Sequence, residues 1–410
     1  MSTRRTGIKQ QAWVQEAAAR RRDVVQQQRQ ARRDLTALAR RLASAERDES
    51  DMEVEAVPKS KSRTREERVK RRREHFSKQL MVPEWMVDVP ADLNGKGSAA
   101  GDGWYVMPRP EGKRCLVVAS NGITIARTQS GSIIKKFPSA LPSGSRKTAA
   151  STEAYCILDC IFHEYDSTFY VLDVMCWKGY LLYNCTTEFR LYWLRDKLDE
   201  GSTATVSSAN PFRFLVQAPS HLPLPHGLNT VYLLLFSLFH ASNVMKKASI
   251  SSHYELGLTP LALVWKDATT SRYFLFSEKP TIVLRLELDG RFTTLEGIPL
   301  WSPEASFLDE NELTEGDLAK FTFEQGYFEE DQQPHLLGLT YLSRCSPQRA
   351  LADSWTKILF QFNARSGGLP IDRILEVSKL LDCQVIGYLI ISMAQACKSR
   401  PLDESMGATT

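Results

Sequence analysis

The sequence is short of the signatures that mark most enzymes. Its 410 residues contain no G-x-x-x-x-G-K-[ST], no G-x-S-x-G and no H-E-x-x-H, which excludes a P-loop, a nucleophile elbow and a zincin helix. Eight cysteines are scattered without a C-x-x-C pair. That spacing speaks against a zinc site and for a reducing compartment, with Cys156 and Cys160, inside apolar runs, as core thiols. No signal peptide is read. The longest apolar run, around Val231 to Phe239, is too short to span a bilayer. There is no internal repeat, and no cofactor is expected.

What is present is unevenly placed. The chain is 43% hydrophobic and 10% aromatic, enough to build a substantial core. Residues 1–78 hold 22 Lys+Arg against 12 Asp+Glu, a surplus of 10, and the remaining 30 against 36 leave the body at −6. A basic arm on a mildly acidic body points to a partner for the arm.

The arm carries a pattern. Residues 20–43 read as one helix with eight arginines. At 100° per residue, Arg29, Arg33 and Arg40 fall within about 20° of Arg22. Val24, Ala31, Leu35, Leu38 and Leu42 cluster on the opposite side, about 160–220° away. Asp48 to Glu55 end the helix, Pro58 follows, and a second basic run covers Lys59 to His75. A solvated charged helix, a nucleic-acid contact and capture by an enclosing acidic partner all fit this pattern. Arginine suits carboxylates and phosphates alike, so charge alone does not choose.

From Gln79 the composition becomes globular. Trp104 to Val118 alternates, with "RPEGKR" as a turn between strands. "YCILDCIFHEYDSTFYVLDVMCWKG" reads as two strands, 155–162 and 169–177, around the turn "HEYDST". "TEFRLYWLRDKL", 187–198, is the best helix of the body, and "SEKPTIVLRLELDGRFTT" is a strand pair turned at Asp289-Gly290. Helices are expected at 349–363 and 370–395. The fold class is α+β with antiparallel sheet. Asp159 and Asp173 sit within strands, where a backbone or basic partner is the commoner reading and catalysis the rarer one. Trp85 and Trp104 lie in polar, proline- and glycine-rich surroundings, and an exposed tryptophan there suits stacking on a base or a cationic ring.

"KQLMVPEWMVDVP", "GKRCLVVASNG", the strand pair just quoted and "HYELGLTPLALVWKD", following the arginine helix, resemble the snurportin family. These are import adaptors for spliceosomal small nuclear ribonucleoproteins. The similarity runs from about residue 20 to 270, and 270–380, with "LADSWTKILFQF", resembles the plant branch. It implies an importin-β-binding arm at 1–50, a charged basic linker at 51–78 and a cap-binding domain at 79–330. A C-terminal helical extension at 331–398 and a loose tail at 399–410 complete the division. It further implies a domain resembling the nucleotidyltransferase domain of RNA guanylyltransferases without their catalysis. The ligand would be the 2,2,7-trimethylguanosine cap of U small nuclear RNA. The partners would be importin β and, for recycling, an exportin, with shuttling between nucleus and cytoplasm.

Residue by residue, the resemblance assigns Trp85 to the lining of the cap pocket and Trp265 to stacking on the base. Lys113, Arg114 and Cys115 match the family's G-K-R-x segment near the cap. Gln129 stands where the family carries a lysine and Pro83 where it carries a serine. Trp104 joins them as the second tryptophan in a polar setting. Arg22, Arg29, Arg32, Arg33, Leu35, Leu38, Arg40 and Arg41 would engage importin β. The strand that precedes His253-Tyr254 in the family is expected here in "LLLF", residues 233–236. The lysine nucleophile of a guanylyltransferase would sit in K-x-D-G, and no such motif occurs. A nucleotidyl transferase, or a general RNA-binding protein using the basic arm, are the competing readings.

Overall fold

The computed structural model describes residues 3–30, 32–50, 65–90, 104–110, 112–148, 154–216, 220–222, 244–249, 252–266, 280–328, 334–346, 349–365, 368–370 and 373–374. Within them the chain is α+β, and its sheets are antiparallel apart from two parallel strand pairs.

The central sheet explains why two strands read as unbroken apolar runs. β3 (Lys113–Ser120), β4 (Ile123–Thr128), β5 (Ile133–Phe137), β6 (Cys156–His163), β7 (Thr168–Trp177) and β8 (Tyr180–Leu181) lie in the order β5-β4-β3-β6-β7-β8, and β9 (Arg213–Val216) pairs with β7. Successive side chains alternate between faces. Val117, Leu158, Phe169 and Val171 face one core, under Leu194 and Leu198 of the helix Thr187–Asp199. Leu116, Val118, Ile157 and Met175 face a second core on the other side. Both faces are covered, so neither shows polar alternation. The two strand aspartates are held by arginine: Arg114 donates to both oxygens of Asp159 at 3.0 and 2.6 Å, and Arg190 to both of Asp173 at 2.8 and 3.0 Å.

Part of the covering of the second face is the arm itself. Ala39, Leu42 and Ala43 are buried there, with Leu35 and Leu38 packed alongside. The arm is also two helices, Thr3–Gln30 and Thr36–Ser50, where the sequence predicts one over 20–43. Asp34 supplies the reason, since its carboxylate accepts from the Thr36 N–H at 2.9 Å and starts a new helix after the break. The short segment between them is clamped to the body. Arg33 bonds the Glu255 carboxylate at 2.5 Å and the Tyr254 carbonyl at 2.9 Å, and Asn184 donates to the Arg33 carbonyl at 2.7 Å. The arm is therefore docked on the body.

A second sheet runs β1 (Met81–Trp85), β12 (Gly257–Lys266), β11 (Val244–Ser249), β2 (Trp104–Arg109) and β10 (Ser220–Leu222). "RPEGKR" joins two strands as the sequence suggests, but they do not pair with each other: β2 pairs with β10 and β11 while β3 pairs with β4 and β6. The strand that precedes Tyr254 is Val244–Ser249. "LLLF" lies outside the described residues, as does nearly all of the expected helix 370–395.

A third unit has its own core. β13 (Thr281–Leu286), β14 (Phe292–Thr293), β15 (Pro299–Trp301), β16 (Leu318–Thr322) and the strand Thr340–Arg344 form a sheet, and the helix Trp355–Arg365 packs Trp355, Ile358 and Leu359 onto it. The turn at Asp289-Gly290 joins β13 to β14 as the sequence suggests. The boundary at 330/331 falls inside this sheet. The segment 334–365 is two strands and a helix rather than wholly helical, and that helix begins at Trp355, not 349.

Candidate functional site

Where the third unit meets the other two sheets, a cleft of about 430 Å³ opens. One wall comes from three places. Met81–Trp85 presents Pro83 and Trp85, the ends of β2 and β3 present Arg109 and Arg114, and the β4–β5 turn presents Thr128, Gln129 and Ser130. The opposite wall is the segment Arg349–Lys357, with Leu295 beside it.

The turn carrying Gln129 is built tightly. Gly131 donates to the Thr128 carbonyl at 2.9 Å, and the Arg127 guanidinium donates to the Gly131 carbonyl at 3.1 Å. Gly131 has φ of +81°, and a Cβ there would meet the Phe76 ring at 2.5 Å, so the position needs glycine. On the strand Met81–Trp85, the Trp85 N–H donates to the Thr356 hydroxyl at 3.1 Å, which ties the two walls together. The Trp85 ring lies 4.8 Å from that of Phe360, and the Lys266 ammonium sits 5.6 Å from its centroid. That indole is half-buried, lines the cleft, and is already of the kind that holds a cation.

The arginines differ in kind. Burial alone would lower the pKa of Arg114, but the Asp159 carboxylate and its hydrogen bonds outweigh this and raise it. Tyr254 completes the group, donating to Asp159 at 2.9 Å and accepting from the Met81 N–H at 3.0 Å. Arg109 has the reverse shift. Burial, with Arg114 adding repulsion, lowers it to about 10.

Of the eight expected cap residues, the cleft gathers Pro83, Trp85, Arg114 and Gln129. Lys113 points elsewhere and pairs with Glu164 at 3.3 Å on the surface. Cys115 is buried in the central core, where burial raises its thiol pKa. Trp104 is 1% exposed, with the Arg21 guanidinium 5.5 Å from its ring centroid. The expectation of an exposed Trp104 is corrected. Trp265 is 0% exposed, and its indole N–H donates to the Leu369 carbonyl at 2.8 Å, so no face is open for stacking. The sequence reasoning missed Arg109, Arg349 and Lys357. The last two stand four residues either side of Asp353, a ladder visible in "RALADSWTK".

On the arm, Arg22, Arg29, Arg32, Arg40 and Arg41 face solvent, whereas Arg33 is taken up by Glu255 and Leu35 and Leu38 pack against the body. Arg20 reaches the Glu84 carboxylate at 3.3 Å. Burial raises the pKa of Glu84 and Arg20 partly offsets the shift.

Residues 79–266 match the family model described as the m3G cap-binding domain of Snurportin1. Among solved structures the chain is similar to the ligase domain of LigD from M. tuberculosis, at 12% identity and TM-score 0.31, covering 68% of this chain and 100% of that one. It is likewise similar to the Chlorella virus DNA ligase-adenylate, at 10% identity and TM-score 0.29, covering 65% of this chain and 99% of that one.

Proposed function

This chain is a snurportin-like protein, and from that premise we propose that it binds the 2,2,7-trimethylguanosine cap of small nuclear RNA and carries the ribonucleoprotein to importin β. The observation that carries the reading is a coincidence. The span matching the cap-binding family model, 79–266, supplies one entire wall of the cleft, with Pro83, Trp85, Arg109, Arg114 and Gln129 together.

The chemistry of that wall suits the ligand. Methylation at N7 makes the guanine a cation, which an electron-rich indole such as Trp85 attracts. Two methyls on N2 remove both exocyclic donors and add apolar surface, so contact there is apolar rather than hydrogen-bonded. The triphosphate bridge calls for guanidinium groups, which Arg109 and Arg114 offer. The test is titration with a trimethylated cap analogue against a monomethylated one. Preference for the trimethylated form is expected, and equal or absent binding would overturn the reading.

The chain works, on this reading, without catalysis. A nucleotidyl transferase forms a covalent lysyl–nucleotide intermediate. The one lysine lining the cleft among the described residues is Lys357, which burial shifts down and which Asp353 holds. It lies outside any K-x-D-G motif. Incubation with labelled GTP or ATP, followed by denaturing electrophoresis, decides between the two. A covalently labelled band that disappears in Lys357→Met would establish the enzyme instead.

The arm is the importin β site, with Arg22, Arg29, Arg32, Arg40 and Arg41 facing an acidic groove and Leu35 and Leu38 joining once the arm lifts from the body. The chain then shuttles between cytoplasm and nucleus, with an exportin returning it. Changing Arg22, Arg32 and Arg40 together to Glu turns attractive pairs into like-charge contacts costing several kcal/mol. Pull-down on importin β should fail for this variant while cap binding persists, and full retention would refute the assignment.

A further inference from the structure

We infer that the third unit is part of the ligand site, and that Arg349 and Lys357 form a second wall that holds the phosphates of the capped RNA opposite Arg109 and Arg114. The inference rests on the cap-binding reading, and extends the site to residues beyond the 79–266 span that matches the family model.

The geometry begins with Asp353. Its backbone N–H donates to the Val283 carbonyl at 2.7 Å, and its carboxylate accepts from the Val283 N–H at 3.0 Å. That fixes the carboxylate to the edge of β13. Arg349 and Lys357 both donate to the other carboxylate oxygen, the lysine at 2.6 Å. Two cations thus share one carboxylate, which leaves one positive charge over on this wall.

The facing wall has the same surplus. Asp159 neutralises Arg114, but among the described residues the Arg109 guanidinium makes no hydrogen bond or ion pair. Asp353 is the sole acidic residue of the cleft lining against Arg109, Arg114, Arg349 and Lys357. Cations crowded into a partly buried cleft raise one another's energy, and an anion entering between them relieves it. A polyphosphate strand, with its charge spread along a line, fits between two walls that each carry one unneutralised cation. Leu295, Ala350 and Leu351 are the apolar members of the same lining beside these cations. The N-terminal end of the helix Trp355–Arg365 adds nothing to this, since the Glu296 carboxylate already accepts from the Trp355 N–H at 2.9 Å.

Two phosphate sources share this chemistry, the triphosphate bridge of the cap and the first phosphodiesters beyond it. The full chain is therefore titrated with a trimethylguanosine-capped dinucleotide, which carries the bridge alone, and with a short capped oligonucleotide. Arg349→Ala is expected to weaken binding roughly tenfold and to flatten the slope of log affinity against log salt by about 0.7 for the lost contact. A loss seen with both probes assigns Arg349 to the bridge, and one confined to the oligonucleotide assigns it to the downstream phosphates. Lys357→Met should act in the same direction, and Arg349→Lys should recover most of the loss. Ala350→Glu puts a carboxylate on the same wall without touching Asp353, and it keeps the test open if either variant melts early. If wild type binds the capped probes and Arg349→Ala, Lys357→Met and Ala350→Glu all match it in affinity and salt slope, the inference is wrong and the cap reading stands. If wild type binds neither probe, the cap reading falls and takes the inference with it.

Discussion

Trp265→Ala separates the residue's assigned role from its position. By family resemblance Trp265 stacks on the methylated base, and a residue with that job costs little stability when removed. In the structure it is fully buried in β12, and its indole N–H is bonded to the Leu369 carbonyl at 2.8 Å. Truncating a buried tryptophan costs about 3–5 kcal/mol. For a domain of this size each kcal/mol moves Tm by about 2–4 °C, so the expected fall is roughly 6–20 °C. Trp265→Phe keeps a ring but leaves the Leu369 carbonyl without its donor, which costs about 1–3 kcal/mol. Calorimetry on both variants, paired with cap titration of the folded fraction, reads the outcome. Should Trp265→Ala melt with wild type and lose cap binding, the burial of Trp265 beneath Leu369 is refuted and the stacking role restored.

Three further outcomes follow from the same geometry. Trp85→Ala should lose roughly 1–3 kcal/mol of cap binding with little change in Tm, read by fluorescence titration; an unchanged affinity removes Trp85 from the site. Leu42→Asp buries a charge where Leu42 is 4% exposed, so the arm should detach and become sensitive to protease; equal protease sensitivity would contradict the docked arm. Acidification should loosen the same contact. Burial lowers the pKa of His75 with help from Arg41, and that of His253 with help from Arg190, Arg33 and Arg32 against the pull of Glu255. Both are held toward the neutral form in the folded chain, so their contribution is complete above their ordinary value near 6.5 and is lost as pH falls through the lowered values. Protease sensitivity of the arm should therefore rise between pH 7 and pH 5, and a flat profile would contradict it.

Local signals in the sequence were enough for local elements. The β6–β7 hairpin is visible because two apolar runs flank a polar turn, and the helix Thr187–Asp199 follows a recognisable start at Thr186, whose hydroxyl accepts from the Phe189 N–H. Sheet partners were not visible. β2 and β3 are three residues apart yet belong to different sheets, and β2 finds its partner in Val244–Ser249, more than a hundred residues away. Nothing in strand alternation encodes such a partner. The cleft divides the same way. Pro83, Trp85, Arg114 and Gln129 stand in short motifs of one contiguous domain, so a resemblance finds them. Arg349 and Lys357 come from the third unit, beyond that domain. Their spacing about Asp353 reads equally well as a salt-bridged helix face, and only tertiary contact turns it toward the cleft.

The arm's apolar stripe shows why an amphipathic pattern does not name its partner. The same leucines that suit a groove on another protein also suit the open face of the central sheet. Here the sheet has them, because Leu116, Val118, Ile157 and Met175 need a cover on that side. Burial of a leucine side chain is worth about 1.5–3 kcal/mol, and Arg33, bonded to Glu255 and to the Tyr254 carbonyl, holds the hinge between the two arm helices in place. Any partner that takes the leucines must first replace that stabilisation, and its apparent affinity is reduced by the fraction of chains in which the arm is docked. The exposed arginines Arg22, Arg32, Arg40 and Arg41 escape this cost. They can meet an acidic surface while the arm is still in place, so encounter depends on salt and final capture on the leucines.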